Sequence, residues 1–198
     1  TKKGVVKKTA FEHYKNVRSS GLITINLDDG DELKWIRVTN GKDDILISTA
    51  LGQAMRFNEE NVRAIGRTAR GVRGIRLRPG DEVISMDIVR EDASIFVISE
   101  FGYGKRTKVD QFTPHARGGV GIRSAVVNDK TGKLVASKSL ETADQEVILI
   151  SIGGQTIRLG LKDIPELGRA TQGVRIMRLN DNDQVASLAL VDADDDSE

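Results

Sequence analysis

The sequence predicts an all-β protein built from about four similar four-stranded units set as blades around an axis, in the manner of propellers and related assemblies. Two recurring marks and one negative observation predict it. The first mark is a turn glycine with a basic residue four positions later: GVVKK at 4–8, GQAMR at 52–56, GYGKR at 102–106 and GQTIR at 154–158. Successive glycines lie 48, 50 and 52 residues apart. The second mark is a glycine leading an apolar run: GLITINL from Gly21, GVRGIRL from Gly71, GGVGIRS from Gly118 and GVRIMRL from Gly173. Between the marks there is little helical periodicity. A repeat of about fifty residues made of short strands cannot bury its apolar faces alone, so neighbouring copies must stack.

The elements follow in order. The first unit, 1–48, offers strands at 5–9, 22–27, 33–39 and 45–48. The second, 49–98, offers 54–57, 72–77, 82–89 and 94–98, separated by turn chemistry such as Arg78-Pro79-Gly80-Asp81. The third, 99–150, repeats the layout at 105–107, 121–127, 134–139 and 147–150. The fourth, 151–191, gives 156–159, 174–179 and 185–191. These runs are rich in Val and Ile and of ordinary strand length, and each unit reads as one sheet. Trp35 and Phe96 fall in such runs and are expected in the core. The opening TKKG aligns with TALG at 49–52, SEFG at 99–102 and SIGG at 151–154, each of which follows an apolar strand. The strand at 5–9 is therefore expected to lack its hairpin partner unless further blades lie upstream or the end of the chain supplies one.

Composition narrows the function classes. With 38% hydrophobic and 30% charged residues among 198, the chain is long enough for a sizeable core and too polar for a membrane span. Without cysteine it has no disulfide framework or thiolate zinc site, and His13 and His115 are too few for a histidine metal cluster. A soluble, cytoplasmic protein is expected. GYGK at 102–105 lacks the spacing of a phosphate-binding loop, and the serines have no histidine in an elbow motif. The paired acids Asp28 and Asp29, or Asp43 and Asp44, read as turn caps. No catalytic site is expected.

The basic residues remain. The stretch 61–80 holds six arginines among four glycines and no acid, and such a run needs an anionic partner. Guanidinium forks beside glycines suit phosphate oxygens. The formal net charge is only +1, but DADDDSE at 192–198 contributes five acids. Against the 24 that remain stand all 30 Lys and Arg, a net of +6 for 1–191. The acidic tail, expected to be disordered, would compete for the basic surface. Basic residues recur after the first turn (Lys8, Arg56, Arg106, Arg158), before the second glycine (Arg18, Arg70, Arg117, Arg169) and in the second strand (Arg76, Arg123, Arg178). With Lys7, Arg67, Arg73, Lys105 and Arg175 they form the candidate DNA-binding set. Acids gather at the other turns, so one rim should be basic and the other acidic. About two phosphates per unit, roughly eight in all, would give log K a slope of about −7 against log salt. An interaction platform whose basic rim meets an acidic protein stays open as an alternative.

The runs TKKGVVKKTAF, GQAMRFNEENVRAIGRTARGVRGIRLRPGDEV, GYGKRTKVDQF and GRATQGVRIMRL resemble the C-terminal domain of the A subunit of bacterial DNA gyrase, with the related domain of topoisomerase IV a close second. The resemblance runs to Val191. It implies a β-pinwheel whose basic perimeter wraps duplex DNA to support ATP-driven negative supercoiling. The implied partners are double-stranded DNA and the remaining domains of the gyrase holoenzyme, an A2B2 assembly of its two kinds of polypeptide. No membrane partner is implied, and no cofactor in this part, with ATP and magnesium acting elsewhere. The family's Q-R-R-G-G-[RK]-G box is present only as the degenerate ARGGVG at 116–121 and ARGVRG at 69–74. That box lies in the family's first blade, so leading blades are expected before Thr1.

Overall fold

A computed structural model describes residues 1–141 and 145–192; the acidic run 193–198 lies outside the described residues. The sheets are antiparallel. Among the described residues strand β1 (Val5–Val6) pairs only with β4 (Val72–Arg73). A hairpin of β2 (Asp44–Thr49) and β3 (Gln53–Asn58) is flanked by β5 (Val83–Val89) on the β2 side and β8 (Ile122–Arg123) on the β3 side. The next sheet repeats this, with β6 (Ser94–Ser99) and β7 (Tyr103–Lys108) between β9 (Leu134–Leu140) and β12 (Val174–Arg175). The last sheet holds β10 (Gln145–Ser151) between β11 (Thr156–Gly160) and β13 (Val185–Asp192).

Repeat in sequence and blade in space are therefore offset, which corrects the expectation of one sheet per unit. The second strand of each unit crosses to the preceding blade, β4 to β1, β8 to β3 and β12 to β7. Glycine makes the crossing possible. Gly71, Gly121 and Gly173 all have positive φ, and a Cβ would lie 2.6 Å from Val6 O at Gly71, 2.5 Å from Gly104 O at Gly173, and against Ala54 O at Gly121. Only two residues of each expected run, 72–77, 121–127 and 174–179, stay in the ladder. The chain then bends because consecutive N–H groups converge on one turn carbonyl. Gly74 and Ile75 donate to Gly4 O, Ser124 and Ala125 to Gly52 O, and Ile176 and Met177 to Gly102 O. The bend sends Ile75, Ala125 and Met177 into the interior.

Two expected strands, 22–27 and 33–39, do not form. Their counterparts β4 and β5 pair with strands from earlier in the chain, and counting back from 22 and 33 by the repeat reaches positions before Thr1. Ile23, Ile36 and Val38 are accordingly exposed. Strand β1 stops three residues short of the expected 5–9, and, β4, β8 and β12 aside, the remaining strands lie within two residues of their expected ends.

The cores sit between blades rather than inside them. Alternation along β2 sends Ile45 and Ile47 to a cluster with Met55, Phe57, Val62 and Ile75, while Leu46 faces the opposite cluster with Ile95, Val97, Val109 and Phe112. Along β6, Phe96 and Ile98 face a third cluster with Val147, Leu149, Leu161 and Met177. Trp35 is half-buried at the edge of the first cluster. Burying a side chain such as Phe57 or Phe96 completely contributes about 1.5–3 kcal/mol. Both faces of each central strand are covered, which explains runs such as ILIS that show no apolar–polar alternation.

One edge of every sheet converges. Strands β5, β9 and β13 of adjacent blades pack on one another, and Ser48 on β2 donates 3.1 Å to Ser137 on β9. This is the inner edge, so the short strands β4, β8 and β12 form the outer one.

Candidate nucleic-acid interface

The offset of sequence and blade fixes three equivalent sets of positions at the outer edge. Aligning Gly71, Gly121 and Gly173 by their shared contacts makes Arg67, Arg117 and Arg169 one set, Arg73, Arg123 and Arg175 a second, and Arg76, Val126 and Arg178 a third. The sequence register, which matched Arg70 with Arg117 and Arg18 with Arg169, is corrected accordingly. Val17 and Ile23 occupy the first two sets in the first unit, and Asn26 the third.

The first set joins each blade to the one before. Nη1 of Arg67 donates to Ile23 O at 3.0 Å, of Arg117 to Arg73 O at 3.0 Å and of Arg169 to Arg123 O at 2.6 Å; Arg117 Nε adds Asn61 O at 2.9 Å. The second set projects from the short strands into solvent. Arg175 Nη2 meets Tyr103 Oη at 3.0 Å, and both its guanidinium and Lys130 Nζ lie 5.4 Å from that ring's centre. Arg73 and Arg123 have no side-chain partner among the described residues, nor do Arg76 and Arg178. Two of the three carbonyl contacts therefore set an arginine of one blade beside an arginine of the next, Arg117 beside Arg73 and Arg169 beside Arg123. None of these guanidinium groups has a carboxylate within ion-pairing distance among the described residues, so their charge is uncompensated. Beside Arg73 and Arg76 a cleft of about 410 Å³ opens toward Lys3, Asp28 and Asp31.

Other residues of the candidate set turn inward. Lys105 is fully buried, its ammonium bound to Gly168 O, Arg169 O and Thr171 Oγ1. Burial, and after it the charge of Arg169, lowers its pKa to about 8. Lys7 binds Thr24 O and Arg67 O, and burial followed by the charge of Arg67 lowers its pKa too. Lys8, Arg56 and Arg106 donate to carbonyls at the 3-10 turn of the following unit: Glu59 O, then Val109 O and Phe112 O, then Ile164 O. Arg56 is also paired with Asp44 at 2.8 Å, and Arg158 with Glu146. Lys105 is thus removed from direct contact with any ligand, and Lys7, Lys8, Arg56 and Arg106 act as staples between blades. Arg70 pairs with Asp28 at 3.0 Å while remaining exposed, and Arg18 is exposed with no side-chain partner among the described residues. Arg63 and Arg78, exposed and unpaired among the described residues, were missed by the set. Their place in the acid-free run 61–80 was the available signal.

The carboxylates are committed elsewhere. Asp31 Oδ1 accepts Lys3 N and Glu32 N, Asp81 Oδ1 accepts Leu51 N and Glu82 N, and Asp183 Oδ1 accepts Gly153 N and Gln184 N, all at 2.8–2.9 Å. Asp81 and Asp183 thereby tie the turns they stand in to the β2–β3 and β10–β11 hairpin turns, and Asp31 does the same for the turn at 1–4. The Ser151 hydroxyl, then the Gly153 N–H, hold the Asp183 carboxyl below its ordinary pKa. At the inner edge Asp87 takes Arg37 and Lys138 together. Among the described residues no cluster of three His, Cys, Asp or Glu could hold a metal, and no helix is long and apolar enough to cross a membrane.

Comparison with known proteins adds an independent line. The family described as DNA gyrase C-terminal domain, beta-propeller, matches at residues 1–40, 43–90, 93–140 and 145–192, one match for each unit. The chain is 40% identical to the DNA gyrase A polypeptide of Staphylococcus epidermidis over 199 aligned residues, covering all of this chain and 22% of that protein. It thus spans about a fifth of the length of such relatives. A solved C-terminal domain of DNA topoisomerase IV superposes with a TM-score of 0.91 at 27% identity, over 97% of this chain and 60% of that one. A gyrase A C-terminal domain superposes at 0.84 with 26% identity, over 96% and 63%.

Proposed function

From the premise that the chain belongs to the DNA gyrase C-terminal domain β-propeller family, we propose that it is the non-catalytic part of the gyrase A polypeptide that binds duplex DNA along its outer edge and bends it. The observation that carries this is the recurrence of uncompensated arginine pairs, Arg73 with Arg117 and Arg123 with Arg169, at the same place on successive blades. Such groups meet phosphates and read little sequence. Bending 20 to 30 base pairs by 40 to 90° costs on the order of 1 to 6 kcal/mol, so blades must act together. In the complete enzyme, an A2B2 assembly in the bacterial cytoplasm, the bent segment would be handed to a cleavage core driven by ATP and magnesium bound in other domains, giving negative supercoils. The identity over the whole chain favours gyrase over topoisomerase IV.

Gel-shift titrations on several unrelated duplexes at two salt concentrations test the reading. Six contacts, from Arg67, Arg73, Arg117, Arg123, Arg169 and Arg175, give a log–log salt slope of about −5 with similar affinity for every duplex. Binding confined to one sequence, or a flat salt response, overturns phosphate recognition. Weak, easily competed DNA binding beside tight capture of an acidic protein would favour the interaction platform.

A further inference from the structure

Three junctions join the outer edges of successive blades, and their backbones are alike. Asn26 N donates to Ala69 O, Arg76 N to Gly119 O and Val126 N to Thr171 O, at 3.2, 2.7 and 3.0 Å. What differs is the side chain beneath the loop, the third residue after the turn glycine: Lys7, Met55 and Lys105. In the middle junction the Met55 methyl lies 3.1 Å from where Gly119 would carry a Cβ, an apolar filling. In the outer two an ammonium fills the space and binds the carbonyl of the very arginine that reaches the preceding blade, Arg67 O from Lys7 and Arg169 O from Lys105.

We propose that Lys7 and Lys105 are positioning residues for the rim arginines Arg67 and Arg169, so that the grip on DNA at two of the three junctions depends on an ammonium proton while the middle junction does not. The inference rests on the outer edge being the DNA surface. An ammonium has three N–H groups, and Lys105 places all three, on Gly168 O at 2.6 Å, Arg169 O at 2.7 Å and Thr171 Oγ1 at 3.1 Å. The neutral amine has two, so one acceptor must be released and the loop that aims Arg169 loses a restraint. Among the described residues Lys105 has no carboxylate in ion-pairing reach. The one charged group acting on it, across β6, β12 and the loop at 165–172, is Arg169, and for Lys7 it is Arg67. Both neighbours favour loss of the proton, and the lowered pKa values agree in direction. Affinity should therefore fall as pH rises through about 8.

The test is DNA affinity at fixed salt from pH 7 to 9.5 for the wild-type chain, Lys105→Met and Arg169→Ala, with thermal melting at pH 7 as the folding control. Methionine already fills this place at position 55, which makes Lys105→Met the conservative choice. The wild type should weaken by roughly three- to tenfold over the range, the weight of one charge-assisted hydrogen bond. Lys105→Met should start lower by a similar factor and lose the share of the pH response that Lys105 supplies, leaving that of the Lys7 junction. Arg169→Ala should lose the same share, since the lysine acts through that arginine, and this substitution of a half-buried side chain carries the test alone if Lys105→Met fails to fold. A pH response undiminished in Arg169→Ala reduces Lys105 to a simple charge and overturns the inference, as does a pH-independent wild type. If the wild type fails to bind duplex at pH 7 on any sequence, the DNA reading itself fails and this inference with it.

Discussion

The inner and outer edges of the blades use the same repeat to opposite electrostatic ends. At the inner edge the fifth residue of each run is equivalent: Arg37 in the irregular run 33–39, then Asp87, Lys138 and Ala189 on strands. Sign alternates there, and the charges find one another. Asp87 Oδ1 accepts Arg37 Nη2 at 2.8 Å and Lys138 Nζ at 2.9 Å, and its Oδ2 accepts Ser139 N at 3.3 Å. At the outer edge Arg73, Arg123 and Arg175 keep one sign, and around them stand carbonyls, other arginines and a tyrosine ring. A repeat fixes where charges stand; whether they bind each other or a foreign polyanion depends on whether sign alternates from copy to copy.

Reversing sign at the outer edge should have the largest effect. Arg73→Glu with Arg123→Glu removes two phosphate contacts and adds two repulsions, and a loss of about a hundredfold in affinity, about 2.7 kcal/mol, is expected on every duplex. Their backbone carbonyls, which Arg117 and Arg169 use, are untouched. The melting temperature should stay within a degree or two, roughly the effect of a neutral surface substitution. Fluorescence titration beside a melting curve checks both, and a large fall in melting temperature would mean that these arginines hold the fold together.

The inner edge should respond the other way. Asp87→Ala leaves Arg37 and Lys138 facing each other around a vacated carboxylate. Breaking a fully buried pair costs several kcal/mol, but both cations keep a third of their side-chain surface in solvent, so about 2 kcal/mol of stability is expected to go. Urea unfolding would show it, with DNA affinity unchanged once the protein is folded. Equal losses in both measurements would erase the distinction between the edges.

This contrast was only half legible in the sequence. The repeat, its all-β character and the strands of the later units follow from glycine spacing and short apolar runs, because local turn chemistry and burial on both faces leave marks in the chain. The handing of β4, β8 and β12 to the neighbouring blade leaves no such mark, since a strand's own residues do not say which edge it will meet. That offset moved the register of the rim arginines, so Arg67 rather than Arg70 proved equivalent to Arg117. Nor does a basic residue announce whether its charge faces water. Lys105 and Arg123 both fall in strand-like runs, yet one is sealed under a loop and the other lies open, a difference set by loop carbonyls some sixty residues away in the case of Lys105.

The smallest expected effect concerns a carboxylate that stands where the other units are apolar. Glu59, Val109 and Leu161 are equivalent buried positions at the 3-10 turn that follows each hairpin. In the first of them, Glu59 Oε1 accepts Gly41 N at 2.7 Å and Asp43 N at 3.0 Å, Oε2 accepts the Thr39 hydroxyl at 2.8 Å, and Lys8 Nζ lies 3.4 Å away. Burial alone would raise its pKa; the Asp43 N–H, the Thr39 hydroxyl, the Gly41 N–H and the charge of Lys8 together outweigh it and leave the folded value below the ordinary 4.5. A carboxyl depressed in the folded state stabilises fully above its unfolded pKa and loses that contribution as pH falls toward and through the folded one. Glu59→Gln should therefore cost about 1 kcal/mol at pH 7, and the gap should narrow below about pH 4.5 and close in stronger acid. Urea unfolding of the two proteins at pH 7, 5, 4 and 3 follows it. A gap that persists at the lowest pH would mean that Glu59 works by shape and not by charge, and that the segment it organises, 39–43, is held by packing like its apolar counterparts.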